Sequence, residues 1–316
     1  MKFYLVAPSF GCTTSPYVER LDKAISNLTE LGIDIVYGPN IRLNVGVVGS
    51  NTPKLRAREI NDAFKSDADV ILSVGGGETM VEILPYIDFD SIKNNPKVFC
   101  GFSDNTNLTY LITILCNQKT IYGANAPSFY DISYGTLDTY KALTGTKSFM
   151  GYSKWEVNPI KTDPLSPLNL TEDKILKLYN YHSFSGIMLG GCLDCLIGLC
   201  GTKFDKTRDY IKNKDIIWYL EACDLNVLGQ RRAYNQLKEA GWFDTVKGFI
   251  IGRPLNSESF MGLDICSNVI DILGEFNVPI VMDADLGHLS PSLPFINGVF
   301  ASVLVKDNNI FIEYKE

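Results

Sequence analysis

The chain of 316 residues has only two histidines, His182 and His288. A three-histidine metal site is therefore excluded, and any chemistry that needs an imidazole must use one of these two. No run approaches the ~18 consecutive apolar residues of a membrane-spanning helix. No basic run exists either: 29 Lys and Arg face 36 Asp and Glu, for a net charge of −7. Phosphate and anionic lipid surfaces are held by clustered Lys and Arg, so nucleic acid and membrane are poor partners for this chain. One C-x-x-C is present, Cys192 to Cys195, without the second pair of a zinc ribbon. Several of the eight cysteines lie inside apolar runs, as in Val98-Phe99-Cys100 and Ile114-Leu115-Cys116. That is the usage of reduced, packed thiols, and no metal is expected. The first residues, Met1 to Ala7, read as a strand followed by a Pro-Ser-Phe-Gly turn and a helix opened by Ser15-Pro16, not as a cleaved leader. These features together predict a cytoplasmic protein.

What is present is an ordinary globular composition, 46% hydrophobic and 21% charged. Short apolar runs (residues 2–7, 33–36, 69–74 and 97–101) alternate with helical patterns over 16–31, 53–66 and 104–116. Alternation of this kind implies an α/β fold with a parallel sheet covered on both faces, a Rossmann- or flavodoxin-like N-terminal domain over residues 1–125. The pattern fades after Tyr122, and residues 126–184, rich in Ser, Thr, Tyr, Asn and Pro, read as a connecting segment. A C-terminal domain over 185–316 then carries strands at 186–189, 216–220, 246–251, 279–282 and 298–305 and helices at 225–241 and 262–276. Asn308-Asn309 reads as the turn of a closing hairpin.

Four stretches could carry chemistry. Gly101-Phe102-Ser103-Asp104-Asn105 ends one strand and opens a helix, the placement of a nucleophile elbow, although Asn105 stands where a glycine is usual. A plain N-cap role for Ser103 is the alternative. Gly75-Gly76-Gly77-Glu78-Thr79 follows a strand and could turn backbone N–H groups toward an anion or oxyanion, or could simply be a tight packing turn. Glu221 and Asp224 follow an apolar strand, at the sheet edge where α/β folds bind ligands; either could instead cap the next helix. His288 lies in a Gly/Ser/Pro loop after a strand, whereas His182 reads as structural or peripheral. Serine is a weak nucleophile that needs a base, and the base needs an orienting acceptor; Ser103, His288 and Glu221 supply one of each. The N–H groups of Gly77 and Asp104 are candidates for an oxyanion hole. The pH dependence of such a site is expected to show one ionisation near ~6–7.

These stretches resemble the LD-carboxypeptidases and the related microcin C immunity peptidases. The matching residues are Leu84-Pro85-Tyr86-Ile87-Asp88-Phe89, Asn95-Pro96-Lys97 running through Gly101-Phe102-Ser103-Asp104, Gly190-Gly191 before Cys192-Leu193, Leu220-Glu221, Gly252-Arg253-Pro254 and Gly287-His288. The resemblance implies a cofactor-free serine peptidase with a Ser103–Glu221–His288 triad, a C-terminal mixed α/β domain with a barrel-like sheet, and a homodimer. Its substrate would be a small peptide, a muropeptide or a peptidyl-nucleotide, cut at an amide near the carboxyl end. Ser73-Val74, rather than an arginine, precedes the glycines, and this with Trp155 points to the immunity-peptidase branch, in which an aromatic residue from that region stacks on adenine. Glu78, Trp155 and Arg253 are the candidate substrate contacts; an exposed surface role is the alternative for Arg253. Two other function classes remain as alternatives: a small-molecule or lipid kinase built on the Gly75-Gly76-Gly77 loop, and a non-catalytic binding protein on the same fold.

Overall fold

The computed structural model describes residues 1–157 and 163–315. They divide into two compact units. One holds Met1–Thr146 with the described residues 163–168; the other holds residues 147–157 and 169–315.

The first unit is built on β1 (Lys2–Val6), β2 (Asp34–Tyr37), β3 (Val70–Ser73), β4 (Val98–Gly101) and β5 (Thr120–Tyr122). All of its neighbouring pairs are parallel, in the order β2-β1-β3-β4-β5. This is the flavodoxin-like order, with its reversal between β1 and β3. All four residues of β3, Val-Ile-Leu-Ser, are buried, as expected of a central parallel strand with helices on both faces. The connecting helices are α1 (Tyr17–Glu30), α2 (Pro53–Lys65), α3 (Phe89–Asn94) and α4 (Thr106–Cys116). Helix α1 buries Leu21, Ala24 and Leu28 at three- and four-residue spacing, the stripe of a helix lying on a sheet. Helix α4 is buried at ten of its positions, among them Leu108, Leu111 and Ile112, which explains why its sequence carries no charged residue.

The stretch 126–184, expected to connect two domains, contains regular structure. A 3₁₀ segment at Ala126–Tyr130 and helix α5 (Tyr134–Leu143) belong to the first unit. Strands β6 (Ser148–Met150), β7 (Lys154–Trp155), β8 (Glu172–Asp173) and β9 (Lys177–Tyr179) belong to the second. These elements are short and carry few apolar residues, so they leave little periodicity to detect. Part of the expected connection, 158–162, lies outside the described residues.

The second unit continues with β10 (Phe184–Cys192), α6 (Leu193–Leu199), α7 (Thr207–Ile211), β11 (Ile216–Glu221), α8 (Val227–Glu239), β12 (Val246–Gly252), α9 (Ile265–Leu273), β13 (Ile280–Ala284), β14 (Phe295–Asn297), β15 (Phe300–Lys306) and β16 (Asn309–Lys315). Its main sheet has eight strands in the order β6-β16-β15-β10-β11-β12-β13-β9. The β10–β13 block is parallel; β15, β16, β6 and β9 join it antiparallel. The closing hairpin turns one residue earlier than expected, at Asp307-Asn308, because Asn309 already pairs with Lys306 in the ladder. Asp307 and Asn308 both have positive φ, 49° and 58°, which suits the residues best able to adopt the left-handed turn of a two-residue hairpin.

Gly190 on β10 is demanded by its neighbour: a Cβ there would lie 1.8 Å from the carbonyl oxygen of Tyr219 on β11. Gly190→Ala should therefore force β10 and β11 apart and destabilise the protein by roughly 1–3 kcal/mol. Gly198→Ala in α6, where nothing lies within 4 Å of the added methyl, should be neutral or slightly stabilising. Urea unfolding midpoints of the two variants check this; equal midpoints would contradict the packing described.

Candidate active site

In the first unit, three loops gather at the carboxyl ends of β1, β3 and β4, at the point where the strand order reverses. The Phe10 N–H donates to Gly76 O at 3.1 Å, tying the loop after β1 to the glycine loop after β3. Ser103, two residues beyond β4, has φ +65° and opens a single 3₁₀ turn, Ser103–Asn105. A left-handed serine at a strand-to-helix turn is uncommon and marks a position held by its surroundings. The position capping α4 is Asn105, so Ser103 does not serve as that helix's N-cap.

The sequence departure at Asn105 has a physical role. Its side-chain amide donates to Gly75 O and Phe102 O, both at 2.9 Å. A Cβ on Gly101 would lie 2.5 Å from Asn105 Cγ, so Gly101 makes the room that Asn105 fills. The Ser103 N–H donates to the Tyr122 hydroxyl at 3.1 Å. Gly76 packs directly against the serine: a Cβ there would lie 3.0 Å from Ser103 Cβ and 3.3 Å from its Oγ. Gly77, at φ +150°, has no room for a side chain beside Ser9. The Asp104 carboxylate is buried and accepts from Ser9 Oγ at 2.6 Å, the Met80 N–H at 2.9 Å and Asn107 Nδ2 at 2.9 Å. Burial lifts its pKa above the ordinary carboxylate value, against these hydrogen bonds and the nearby Arg56, which favour the ionised form. Asp104 thus ties the serine turn to the loop after β1 and to the 3₁₀ segment Met80–Tyr86 that follows the glycines. Glu78, in that same loop, is exposed.

In the second unit, Glu221 is the last residue of β11 and its side chain is fully buried. Its Oε2 lies 2.9 Å from His288 Nδ1, while 18% of the histidine side chain remains exposed. A carboxylate only accepts, so Nδ1 carries the proton of this contact. Burial by itself lowers an imidazole pKa. Here the attraction of Glu221, with hydrogen bonding to Cys223 and Glu221, outweighs it and carries His288 from 6.5 up to about 10. The ionisation expected near ~6–7 therefore moves upward. Two glycines make the approach possible: a Cβ on Gly252 would lie 2.9 Å from Glu221 Cβ, and one on Gly287 would lie 3.2 Å from Glu221 Oε2. Neither Glu221 nor Asp224 caps α8; Asn226 does, accepting from the Gly229 N–H at 2.9 Å.

Arg253 is not an exposed arginine. It is 6% exposed, with Nη2 3.0 Å from Asp285 Oδ1 and its guanidinium 4.8 Å from the centre of the Trp155 ring. Trp155 and Arg253 are thus brought together, with the arginine charge engaged by Asp285. His182 is exposed, between β9 and β10. Sequence reasoning missed Asp194, whose carboxylate accepts from the N–H groups of Cys223, Asp224 and Leu225 at 2.9–3.1 Å and so holds the loop after Glu221. It also missed the buried Lys174 and gave Asp285 no role, although Asp285 lay within the loop singled out for His288. All eight cysteines are free thiols. Burial pushes Cys12 up to about 12 and Cys116 to about 11, as packed, unreactive thiols require. Among the described residues, no group of three or more His, Cys, Asp or Glu side chains could hold a metal ion, and no helix is long and apolar enough to cross a membrane. An open groove of about 600 Å³ on β6, β16, β15 and β10 includes none of the candidate residues in its lining.

Comparison with known proteins agrees with this layout. The family model of the LD-carboxypeptidase N-terminal domain matches residues 4–123, and that of the LD-carboxypeptidase C-terminal domain matches residues 185–303. The chain is 28% identical to the microcin C7 self-immunity protein MccF of Escherichia coli, over 93% of this chain and 88% of that protein. It is 25% identical to a Bacillus subtilis protein named "Probable murein peptide carboxypeptidase", over 98% and 90% of the two chains. Among solved structures, MccF in complex with aspartyl sulfamoyl adenosine matches with a TM-score of 0.84 at 23% identity, covering 100% of this chain and 96% of that one. The muramoyltetrapeptide carboxypeptidase of Oxalobacter formigenes matches with a TM-score of 0.77 at 19% identity, covering 100% and 99%. With both of its domains matched in order, the chain belongs to the LD-carboxypeptidase family of peptidases.

Proposed function

We propose that this protein is a serine peptidase that needs no cofactor and cleaves an amide bond near the carboxyl end of a small peptide or peptidyl-nucleotide. The observation that carries the reading is the 2.9 Å contact between Glu221 Oε2 and His288 Nδ1, which presets the imidazole for proton transfer at Nε2. Ser103 Oγ attacks the carbonyl carbon. His288 Nε2 takes the serine proton and later delivers it to the leaving amine. Glu221 holds the tautomer and stabilises the imidazolium between these steps. The N–H groups of Gly77 and Asp104 hold the negative oxygen of the tetrahedral intermediate. The reading requires Ser103 Oγ and His288 Nε2 to come within hydrogen-bond reach, ~3 Å, in the working enzyme.

The relatives mark out the substrate range, a murein peptide on one side and an aminoacyl sulfamoyl nucleoside on the other. Ser73-Val74 before the glycines and Trp155 on the Arg253 guanidinium favour the nucleotide side, where a flat aromatic face can stack on a base. Glu78 and Arg253 are further candidate contacts to substrate. We place the enzyme in the cytoplasm, in keeping with its free thiols, and infer that it works as a homodimer, as the family resemblance implies.

A hydrolysis panel read by mass spectrometry, with a muropeptide tetrapeptide and an aminoacyl sulfamoyl adenosine, tests the reading. Ser103→Ala should lose on the order of 10⁶ in kcat while keeping the fold; wild-type turnover in a folded Ser103→Ala protein would overturn the assignment. Activity should survive EDTA without added nucleotide, and loss restored by zinc or magnesium would contradict it. The pH dependence has a defined sign. The base works as neutral imidazole, so kcat/KM should rise with pH through an ionisation above 6.5, toward about 10. Glu221→Gln should move that limb down and lower kcat with little change in KM, because the imidazolium loses its anion. His182→Gln should be nearly silent; inactivation by His182→Gln but not by His288→Gln would show that the base is misassigned.

A further inference from the structure

We propose that the buried cluster Lys174–Asp285–Arg253 is the positioning device of the enzyme, fixing the loop that carries His288 so that its ring stays on Glu221. The inference rests on the serine-peptidase reading for its catalytic consequence, but its structural consequence can be measured on its own.

Asp285 directly follows β13 and stands three residues before His288. It is fully buried, and its carboxylate accepts from Lys174 Nζ at 2.8 Å, from Arg253 Nη2 at 3.0 Å and from the Tyr152 N–H at 2.8 Å. Gly151 is part of the device: a Cβ there would lie 2.7 Å from Asp285 Oδ2 and 2.8 Å from Lys174 Nζ, so any side chain would displace the ion pair. Arg253 grips the same loop by its backbone. Its N–H donates to Leu286 O at 3.1 Å, and its Nη1 reaches Leu289 O at 3.5 Å, so hydrogen bonds lie on both sides of His288. Gly287 passes between them at φ +111°, where a Cβ would lie 3.2 Å from Arg253 O and 3.2 Å from Glu221 Oε2. Lys174 is anchored at its other side. Its Nζ also donates to Asn309 Oδ1 at 3.2 Å, and its carbonyl accepts from Asn308 Nδ2. The chain of contacts therefore runs from the β15–β16 turn through Lys174 and Asp285 to the His288 loop.

Burying two cations on one carboxylate is an expensive way to stabilise a core, and apolar side chains of the same volume would serve stability as well. What directed, charge-assisted hydrogen bonds add is geometry: they fix distances and angles that apolar packing leaves loose. The groups that act directly on the protonation of His288 are Glu221 at the end of β11 and Cys223 just after it; Arg253 and Asp285 are tied to its loop only through the hydrogen bonds above.

The test uses the full chain with isotope-labelled histidine. With only two histidines, the ring signals of His288 are assigned by the loss of one set in His182→Gln. The His288 titration point is followed by NMR, alongside kcat and KM, in wild type, Asp285→Asn, Lys174→Met and Lys174→Arg. If the cluster positions the loop, both Asp285→Asn and Lys174→Met loosen the ring from Glu221. The titration point then falls in both, and kcat falls about tenfold to a hundredfold with KM little changed. Lys174→Arg, which keeps the charge and the hydrogen bond, should recover most of both quantities. If the cluster acted only as a set of charges, removing the lysine cation would raise the His288 titration point while removing the aspartate would lower it. A rise, or no change, in Lys174→Met therefore overturns the proposal. Should Asp285→Asn fail to fold, Lys174→Met and Lys174→Arg still decide it. A wild-type protein that hydrolyses nothing and is unchanged by Ser103→Ala would sink the peptidase reading instead, while the titration shifts would still report on the loop.

Discussion

The hydrogen bond between the buried Glu221 carboxylate and His288 Nδ1 is the constraint around which the second unit is organised. A carboxylate at the end of a fully buried strand is costly unless it is paired, and the imidazole supplies the pairing. To bring the ring there, β12 must end in Gly252 and the loop after β13 must pass Gly287, since side chains at either point would collide with Glu221. The loop after β11 must also be tied down, and Asp194 does this with three backbone N–H groups. Each of these local choices follows from one requirement, a carboxylate and an imidazole in contact at a sheet edge.

The first unit solves a different problem with the same tools. Its serine is held in a left-handed turn at the end of β4, and the forces that hold it come from three strand ends. Asn105 bonds to the glycine loop after β3, and Asp104 bonds to Ser9 after β1. The 2-1-3-4-5 strand order places these ends together, so the topology delivers the loops and the side chains lock them. Two units of unlike sheet architecture each present polar loops at strand ends, the placement in which α/β scaffolds carry their sites.

Much of the fold could be read from the residues because parallel strands buried on both faces leave continuous apolar runs, as in β3 and in Ile216–Leu220 of β11. Helix α5 and the short strands β6–β9 could not, since brief elements with polar residues leave no period to find. The closing hairpin was displaced by one residue because Asp307 and Asn308, rather than Asn308 and Asn309, adopt positive φ. At the candidate site, Ser103, Glu221 and His288 were visible as polar residues after apolar strands. The left-handed turn at Ser103 was not, because it depends on Asn105 reaching Gly75, thirty residues away. Arg253 could be seen but not its state, and Lys174 was invisible, since its partner Asp285 lies 111 residues further along the chain. Close approaches between residues distant in sequence are set by packing, and no local pattern records them.

The central claim is that Ser103 is a nucleophile activated by His288 and Glu221. Its most direct test is covalent capture: the protein is treated with a fluorophosphonate, and the adduct is located by intact mass and peptide mapping. The account predicts one adduct per chain, on Ser103, forming far more slowly when His288 or Glu221 is replaced by glutamine. A protein that hydrolyses its substrate yet takes no label, or takes it at a residue other than Ser103, would contradict it.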